Sequence, residues 1–367
     1  MQIYENLEKH INLKYPVENL SEPSSVLFLD IETTGLSPVN SQVYLIGTAC
    51  LSDDRLYIRQ FFAEDTSREK EILKAFSEYL QSFDTIITFN GNKFDIPFLE
   101  KRSFAHGIDM AFSEKNGIDI YKRIQPYKKL LGLPDMKQKT LEGFLRIRRN
   151  DKKSGRELIA IYGNYIASKN RYCLDLLLQH NTDDLKGLAG LLPLLSYTDV
   201  LNGTIKAERA VKNNYRDYRG QLRTELIIEF TYDTPVPNPV SAGFSDCYLM
   251  LGGKRGKIRV AVFTGILRYF YPDHKNYYYL PLEDRAMHKS TSQYVDRGRR
   301  QQARPENCFV RVRSQFLPQW DKIVTPIFKY AYEDRTMYFE LTEEVKNDPD
   351  IFKRYAGHLM DMILKEL

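Results

Sequence analysis

The chain has 367 residues, of which 43% are hydrophobic and 28% charged, and a formal net charge of +5. That length is enough for two domains with buried cores, and the composition is that of a soluble globular protein, not a disordered one. No apolar run approaches the roughly 20 residues that a bilayer-spanning helix needs, so a helical membrane protein is excluded as well. Cys50, Cys173, Cys247 and Cys308 are widely separated and form no Cys-x-x-Cys pair, so reduced, buried thiols in a cytoplasmic protein are expected and zinc is not. Charge is unevenly spread: residues 1–200 carry 26 basic and 27 acidic side chains, whereas residues 201–330 carry 22 and 12. The last 37 residues return to a net of −4. A local excess of that size points either to a polyanion such as nucleic acid or to a solvated basic surface.

In chain order, residues 1–23 read as a short amphipathic segment and a linker, without the apolar core of a signal peptide. Val26-Leu27-Phe28-Leu29 is an unbroken apolar run, the mark of a strand buried on both faces. Asp30 and Glu32 follow it and share a face, with Ile31 on the other. Two carboxylates aimed at one point call for a divalent metal or for a raised pKa on one of them. Thr33-Thr34-Gly35 then offers small residues where a backbone can approach a ligand. Residues 42–51 and 55–62 read as strands joined by a turn at Ser52-Asp53-Asp54. Residues 67–83 have helical periodicity, with Ile72, Leu73, Phe76, Tyr79 and Leu80 on one face and Thr66 or Ser67 as cap. A buried strand is expected over 85–89, then a tight Asn90-Gly91 turn into a helix opened by Asp95 and Pro97. Asp95 reads either as a helix cap or as a ligand. A short strand over 118–121 and helices over 140–147, 158–168 and 172–195 complete an α/β pattern with a mixed sheet. On the last helix His180 and Asp184 project together, as a surface ion pair or a catalytic one. Asp183 points about 100° away and is expected to be solvated.

Taken together these are Asp-x-Glu on a first strand, Asn-x-x-x-Phe-Asp after a later strand, and His-x-x-x-Asp on a terminal helix. The ordered set resembles the DEDD exonuclease superfamily, the DnaQ-like branch of the ribonuclease H fold, over residues 24–196. Asp30 to Leu36 matches its first motif, Asn90 to Asp95 the second in a form similar to family B polymerase proofreading domains, and Asp184 the third. Asn90 to Leu99 and Thr140-Leu141-Glu142-Gly143-Phe144-Leu145 are similar to the bacterial YprB-like exonuclease group. The resemblance implies a ribonuclease H-like mixed sheet flanked by helices over 24–198. It implies a metal-dependent 3′–5′ exonuclease acting on DNA, in DNA repair, with a helicase as partner. Asp30, Glu32, Asp95 and Asp184 would hold two Mg²⁺ or Mn²⁺ ions about 4 Å apart, and all-oxygen ligation suits these metals better than zinc. Thr33, Gly35 and Leu36 would contact the terminal nucleotide, Leu36 as a wedge; Asn90 and Phe94 are substrate-side candidates, Phe94 equally a core residue. There is one departure. The histidine branch carries His-x-x-x-x-Asp and the tyrosine branch Tyr-x-x-x-Asp, and here a histidine stands at the tyrosine spacing. His180 therefore either orients the attacking water or takes its proton, and an unperturbed imidazole pKa near 6.5 suits both.

Residues 199–367 carry no motif and are expected to form a β-rich α+β accessory domain closed by a helix from Asp348. Short strands are expected near 226–231, 247–251, 257–263 and 267–271, with a loop at Pro235-Val236-Pro237-Asn238-Pro239. Alternation places Arg255, Lys257 and Arg259 on one face, and likewise Arg311 and Arg313. With Arg297, Arg299, Arg300, Arg304 and the nearby tyrosines, such faces suit a nucleic-acid backbone and its bases, or else solvate a β core. Two other functions compete. An RNA-trimming exonuclease uses the same motifs, because none of them reads the sugar. An inactive nuclease fold kept as a binding module is opposed by the presence of all four carboxylates.

Overall fold

The computed structural model describes residues 1–8, 13–52, 55–148, 155–203 and 205–367; Asp53 and Asp54 of the expected turn lie outside them. The chain divides into two compact units, Met1–Asn202 with Val236–Asn238, and Gly203–Pro235 with Pro239–Leu367. Among the described residues no helix is long and apolar enough to cross a membrane.

The first unit contains β1 (Gln2–Leu7), β2 (Val26–Thr33), β3 (Val43–Ser52), β4 (Arg55–Phe62), α1 (Glu69–Leu80), β5 (Thr85–Thr88) and α2 (Asp95–Ala105). Then come β6 (Asn116–Asp119), α3 (Ile120–Ile124), α4 (Gln138–Phe144), α5 (Gly155–Ser168), α6 (Arg171–Gly190) and α7 (Leu195–Asn202). The strands lie in the order β1-β4-β3-β2-β5-β6. The first three pairings are antiparallel, whereas β2–β5 and β5–β6 are parallel. This is the mixed α/β sheet expected from the sequence, with β2 near its centre.

Val26, Leu27 and Phe28 are fully buried, which is why their run is unbroken rather than alternating. Leu27, Leu29, Ile72, Leu73, Phe76 and Leu99 share one core with the aromatic rings of Phe61, Phe62 and Tyr162. Residues 2–7 correct the expected linker, because they form the edge strand β1, paired from Gln2↔Phe62 to Leu7↔Tyr57. Backbone pairing with β4 makes this strand, and its mostly exposed side chains left little apolar pattern to read. The turn into α1 is held by Asp65, whose carboxylate accepts from the Ser67 N–H, and not by Thr66 or Ser67. The strand expected over 118–121 stops at Asp119, whose carboxylate caps α3 by accepting from the Lys122 N–H at 3.2 Å. The long C-terminal helix ends at Gly190, and Pro193 lies in the 3₁₀ turn that follows.

The second unit is β-rich. It begins with β7 (Lys206–Arg216), β8 (Leu222–Phe244), β9 (Cys247–Ala261) and β10 (Phe263–Phe270), then β11 (Tyr277–Leu280), β12 (Arg285–His288) and β13 (Gln301–Gln302). It closes with β14 (Phe309–Gln319), β15 (Phe328–Lys329), β16 (Met337–Glu340), α8 (Glu343–Lys346) and α9 (Pro349–Glu366). β7, β8 and β9 form one sheet, β12-β11-β13 another, and β10-β14-β16-β15 close into a small barrel. Residues 235–239 lie inside β8 and not in a loop. The pairing of β8 with β7 ends at Lys206↔Thr231, so Pro235, Pro237 and Pro239 withhold no N–H from that ladder. Asp348 caps α9 as expected, accepting from the Asp350 and Ile351 N–H groups.

Candidate active site

Three segments that are distant in sequence meet at the C-terminal end of β2. Asp30 and Glu32 emerge from that strand on one face, while Ile31 is buried on the other. The pairing of β2 with β3 shifts register between Glu32 and Thr33, skipping from Leu45 to Val43. Such a bulge re-aims the side chains around it.

From α6, His180 Nε2 lies 2.9 Å from Asp184 Oδ2 and 3.6 Å from Glu32 Oε1. The i,i+4 spacing therefore makes a contact that is buried rather than a surface ion pair, with His180 7% exposed. Ligand atoms of Glu32, His180 and Asp184 all lie within 4.8 Å of one another. Asp95 is the first residue of α2, and Phe94 occupies the cap position without a capping side chain. The Asp95 carboxylate instead accepts from the Ile31 N–H at 3.2 Å, so it faces β2 at the residue that separates Asp30 from Glu32 in the chain.

The electrostatics follow from this crowding. Burial above all, then Asp184, Asp95 and Glu32, hold the Asp30 carboxyl well above the usual range. Burial also pushes Asp95 up to about 7; Asp119 and Asp184 add to the shift and the bond from the Ile31 N–H opposes it. Three carboxylates thus act on Asp30, and the Asn181 amide is the donor that relieves it, at 2.8 Å from Nδ2 to Oδ2. A cation would relieve the same repulsion. The donor set, carboxylate oxygens from a strand and two helices with one imidazole beside them, fits hard divalent cations such as Mg²⁺ or Mn²⁺.

Asn181 is fully buried, and sequence reading passed over it. Its Oδ1 accepts from Gln60 Nε2 at 2.7 Å, and Gln60 donates also to the Leu178 carbonyl, so β4 fixes the amide that holds Asp30. Gly47 on β3 makes room for it, and a methyl group at Gly47 would collide with the Asn181 amide. A glycine in the middle of an apolar strand was the available signal for this close approach. Gly47→Ala is expected to cost about 1–3 kcal/mol of stability through overpacking. It is also expected to weaken any activity that depends on Asp30, as a denaturant melt and a rate measurement on the same sample would check.

Asp119 was also missed. Its carboxylate accepts from the Asn90 N–H at 2.9 Å and the Asn92 N–H at 3.2 Å, and so holds the Asn90-to-Asp95 turn. Asn90 adopts a left-handed φ of 61°, as expected of Asn before Gly in a tight turn. Phe94 packs against the core and lies 5.5 Å from the Phe98 ring, which favours its structural role. Thr33 turns its hydroxyl onto the Gly35 carbonyl at 2.8 Å and so shapes the loop. Leu36 is 85% exposed. Asp183 corrects another expectation: it is buried, and Gln179 donates to it at 2.9 Å, because α6 is covered on more than one side.

Residues 27–196 match the RNase_H superfamily family model. They form a ribonuclease H-like domain. The matched residues include the whole of α6, the helix that supplies His180, Asn181 and Asp184. Over 47 residues the chain is 43% identical to a DNA polymerase of Methanocaldococcus jannaschii, a stretch covering 13% of this chain and 3% of that one. Among solved structures it is similar to the family B DNA polymerase of Pyrobaculum calidifontis, with 15% identity, a TM-score of 0.38, and coverage of 71% of this chain and 37% of that one. It is also similar to E. coli exonuclease I in complex with a dT13 oligonucleotide, with 12% identity, a TM-score of 0.33, and coverage of 56% and 54%. The chain spans less than two thirds of each of these relatives.

Proposed function

We propose that this chain is a 3′–5′ exonuclease that hydrolyses the phosphodiester bonds of DNA with two divalent metal ions, in the manner of the DEDD group and its YprB-like members. The observation that carries the reading is the grouping of Asp30 with Glu32, Asp95 and Asp184 in one electrostatic cluster, with the buried His180 against Glu32 and Asp184. A binding module has no use for four carboxylates grouped so that burial and neighbouring acids raise Asp30 and Asp95, whereas metal-assisted hydrolysis does. Asp30, Glu32 and Asp184 would hold one ion, and Asp30 with Asp95 the other. Bound Mg²⁺ or Mn²⁺ supplies a water of lowered pKa and neutralises charge on the leaving 3′ oxygen.

The protein's own groups do the rest. His180 Nε2 faces the Glu32 and Asp184 carboxylates, the place from which an imidazole orients a water or accepts its proton. Asn181 and the Ile31 N–H hold Asp30 and Asp95 in place. The exposed Leu36, on the loop shaped by Thr33 and Gly35, is available to press on a terminal base.

The test uses single- and double-stranded DNA and RNA, each labelled at either the 5′ or the 3′ end, with Mg²⁺ or Mn²⁺. A ladder of 5′-labelled DNA products, with the 3′ label released as a mononucleotide, is the expected result. Cleavage of RNA alone would move the substrate to RNA. Release of the 5′ label first, or no hydrolysis of any substrate, would overturn the reading.

A further inference from the structure

The basic excess of residues 201–330 is not evenly available to a ligand. On the β7-β8-β9 sheet several of the cations face acids. Arg209 Nε lies 2.6 Å from Glu229, Lys257 Nζ 3.5 Å from the same carboxylate, and Arg259 Nη2 2.7 Å from Glu225. Lys206 pairs with Asp233 at 2.8 Å and Arg223 with Asp217 at 3.1 Å. On the face that alternation in β9 marked as basic, Lys257 and Arg259 are therefore already ion-paired.

The small barrel differs. Its register places Arg268 of β10 directly opposite Arg311 of β14 and, on its other side, opposite Lys329 of β15. Side chains opposite one another in antiparallel strands share a face, so three cations form one row across three strands. Arg313 lies two residues beyond Arg311 on the same face, opposite Ile266. The alternate residues Leu267, Val312, Phe316 and Phe328 pack together inside the barrel, so the basic row points outward.

Like charges directly opposite one another destabilise a sheet. Here neutral groups and one acid absorb that cost. Arg268 donates to the Tyr330 carbonyl at 2.6 Å and sits 4.6 Å over the Phe309 ring, and Lys329 donates to the Tyr332 carbonyl at 2.9 Å. Arg311 pairs with Asp284, which also accepts from the Tyr279 hydroxyl. Arg268, Lys329 and Arg313 have no ion pair with a carboxylate among the described residues. Beside the row lie the half-buried Phe270 and the 40% exposed Tyr332, in edge contact at 5.4 Å, with Ile266 42% exposed on the other flank.

We infer that this outer face of the barrel binds the phosphodiester backbone of single-stranded nucleic acid. The argument is charge complementarity. Arg311 and Arg313 are spaced along a strand by about 6.7 Å, the rise of two residues, and the row crosses two inter-strand gaps of about 4.8 Å each. A flexible polyanion with a repeating charge relieves the repulsion along both directions. Tyr332 and Phe270 offer the adjacent flat surface on which bases stack. This inference rests on the proposed action on nucleic acid and locates where the second unit holds that substrate.

The test measures binding of a fluorescein-labelled single-stranded DNA oligonucleotide to the full chain, with EDTA present so that nothing is cut, across a series of NaCl concentrations. Arg268→Gln with Arg313→Gln is expected to weaken binding at least tenfold at 0.1 M salt. It should also flatten the salt slope by about 1.4, since each single-strand phosphate contact contributes about 0.7. Lys257→Gln with Arg259→Gln, which removes cations already paired with acids, should change affinity less than twofold. Arg313→Gln alone removes an exposed side chain with no ion pair, so it cannot act through folding, and it should flatten the slope by about 0.7. Unchanged binding in the two Arg313 variants, or an equal loss in the β9 variant, overturns the inference. If those variants bind as the wild type does and the wild type still degrades DNA, only this inference falls. If the wild type binds no oligonucleotide and cleaves none, the proposed function falls with it.

Discussion

Asp30→Asn is expected to lower the hydrolysis rate by about 10³-fold or more while making the metal-free protein harder to unfold. The rate follows from the several kcal/mol that a metal contributes to a charged transition state, at about 1.36 kcal/mol per factor of ten. The stability follows from the site. Burial and three neighbouring carboxylates hold the Asp30 carboxyl well above its ordinary range, so the charged form is a cost in the folded protein that a neutral amide does not carry. Asn is nearly the same shape and keeps a carbonyl oxygen for the Asn181 donor. Single-turnover rates and melts in EDTA, on the same preparation, separate the two effects. Opposite signs for rate and stability mark a ligand site. A loss of both would make Asp30 a structural residue, and an unchanged rate would exclude it from catalysis.

The second expectation concerns pH and metal together. Asp95 rises from its ordinary 3.8 to about 7 in the folded protein, with Asp30 raised as well. An acid whose folded pKa lies above its unfolded one binds more protons folded than unfolded between the two values. Stability therefore falls as pH rises through that window. With respect to these groups the metal-free protein is expected to be most stable below about pH 4 and to lose stability from there up to about pH 7. For Asp95 alone the shift corresponds to on the order of 4 kcal/mol, at about 1.36 kcal/mol per unit. Divalent metal replaces the protons, so Mg²⁺ or Mn²⁺ should restore stability most strongly at and above neutral pH and little below pH 5. Urea midpoints measured from pH 4.5 to 8, with EDTA and with metal, check both limbs. A metal-free protein that grows more stable over this range would show that the carboxylates are not held in each other's field.

Some of this was legible in the sequence because it is written locally. Val26 to Leu29 is buried on both faces of a central strand, so its apolar run was unbroken and its end in Asp30 and Glu32 was conspicuous. Asn90-Gly91 dictates a tight turn, and His180 with Asp184 share a helical face, whatever surrounds them. Other features were not local. β1 is a strand because β4 offers it backbone partners, and its own side chains hardly alternate in burial. Pro235 to Pro239 looked like a loop because proline usually interrupts a ladder, yet here the β7 ladder has already ended.

By itself, then, the sequence determined which residues are acidic at the end of the central strand, and which helix and turn would carry their partners. Spacing of two and of four residues determines shared faces, and that holds before anything folds. Only the tertiary structure decided that Asp95 reaches the Ile31 N–H instead of capping its own helix, and that Asn181, Gln60 and Gly47 form the support beneath Asp30. It also decided which cations are paired: Lys257 and Arg259 face acids across a strand, whereas Arg268 faces Arg311 and Lys329. The physical reason is the same in each case. A hydrogen bond or an ion pair depends on a distance between residues far apart in the chain, and strand register, which no single segment encodes, sets that distance.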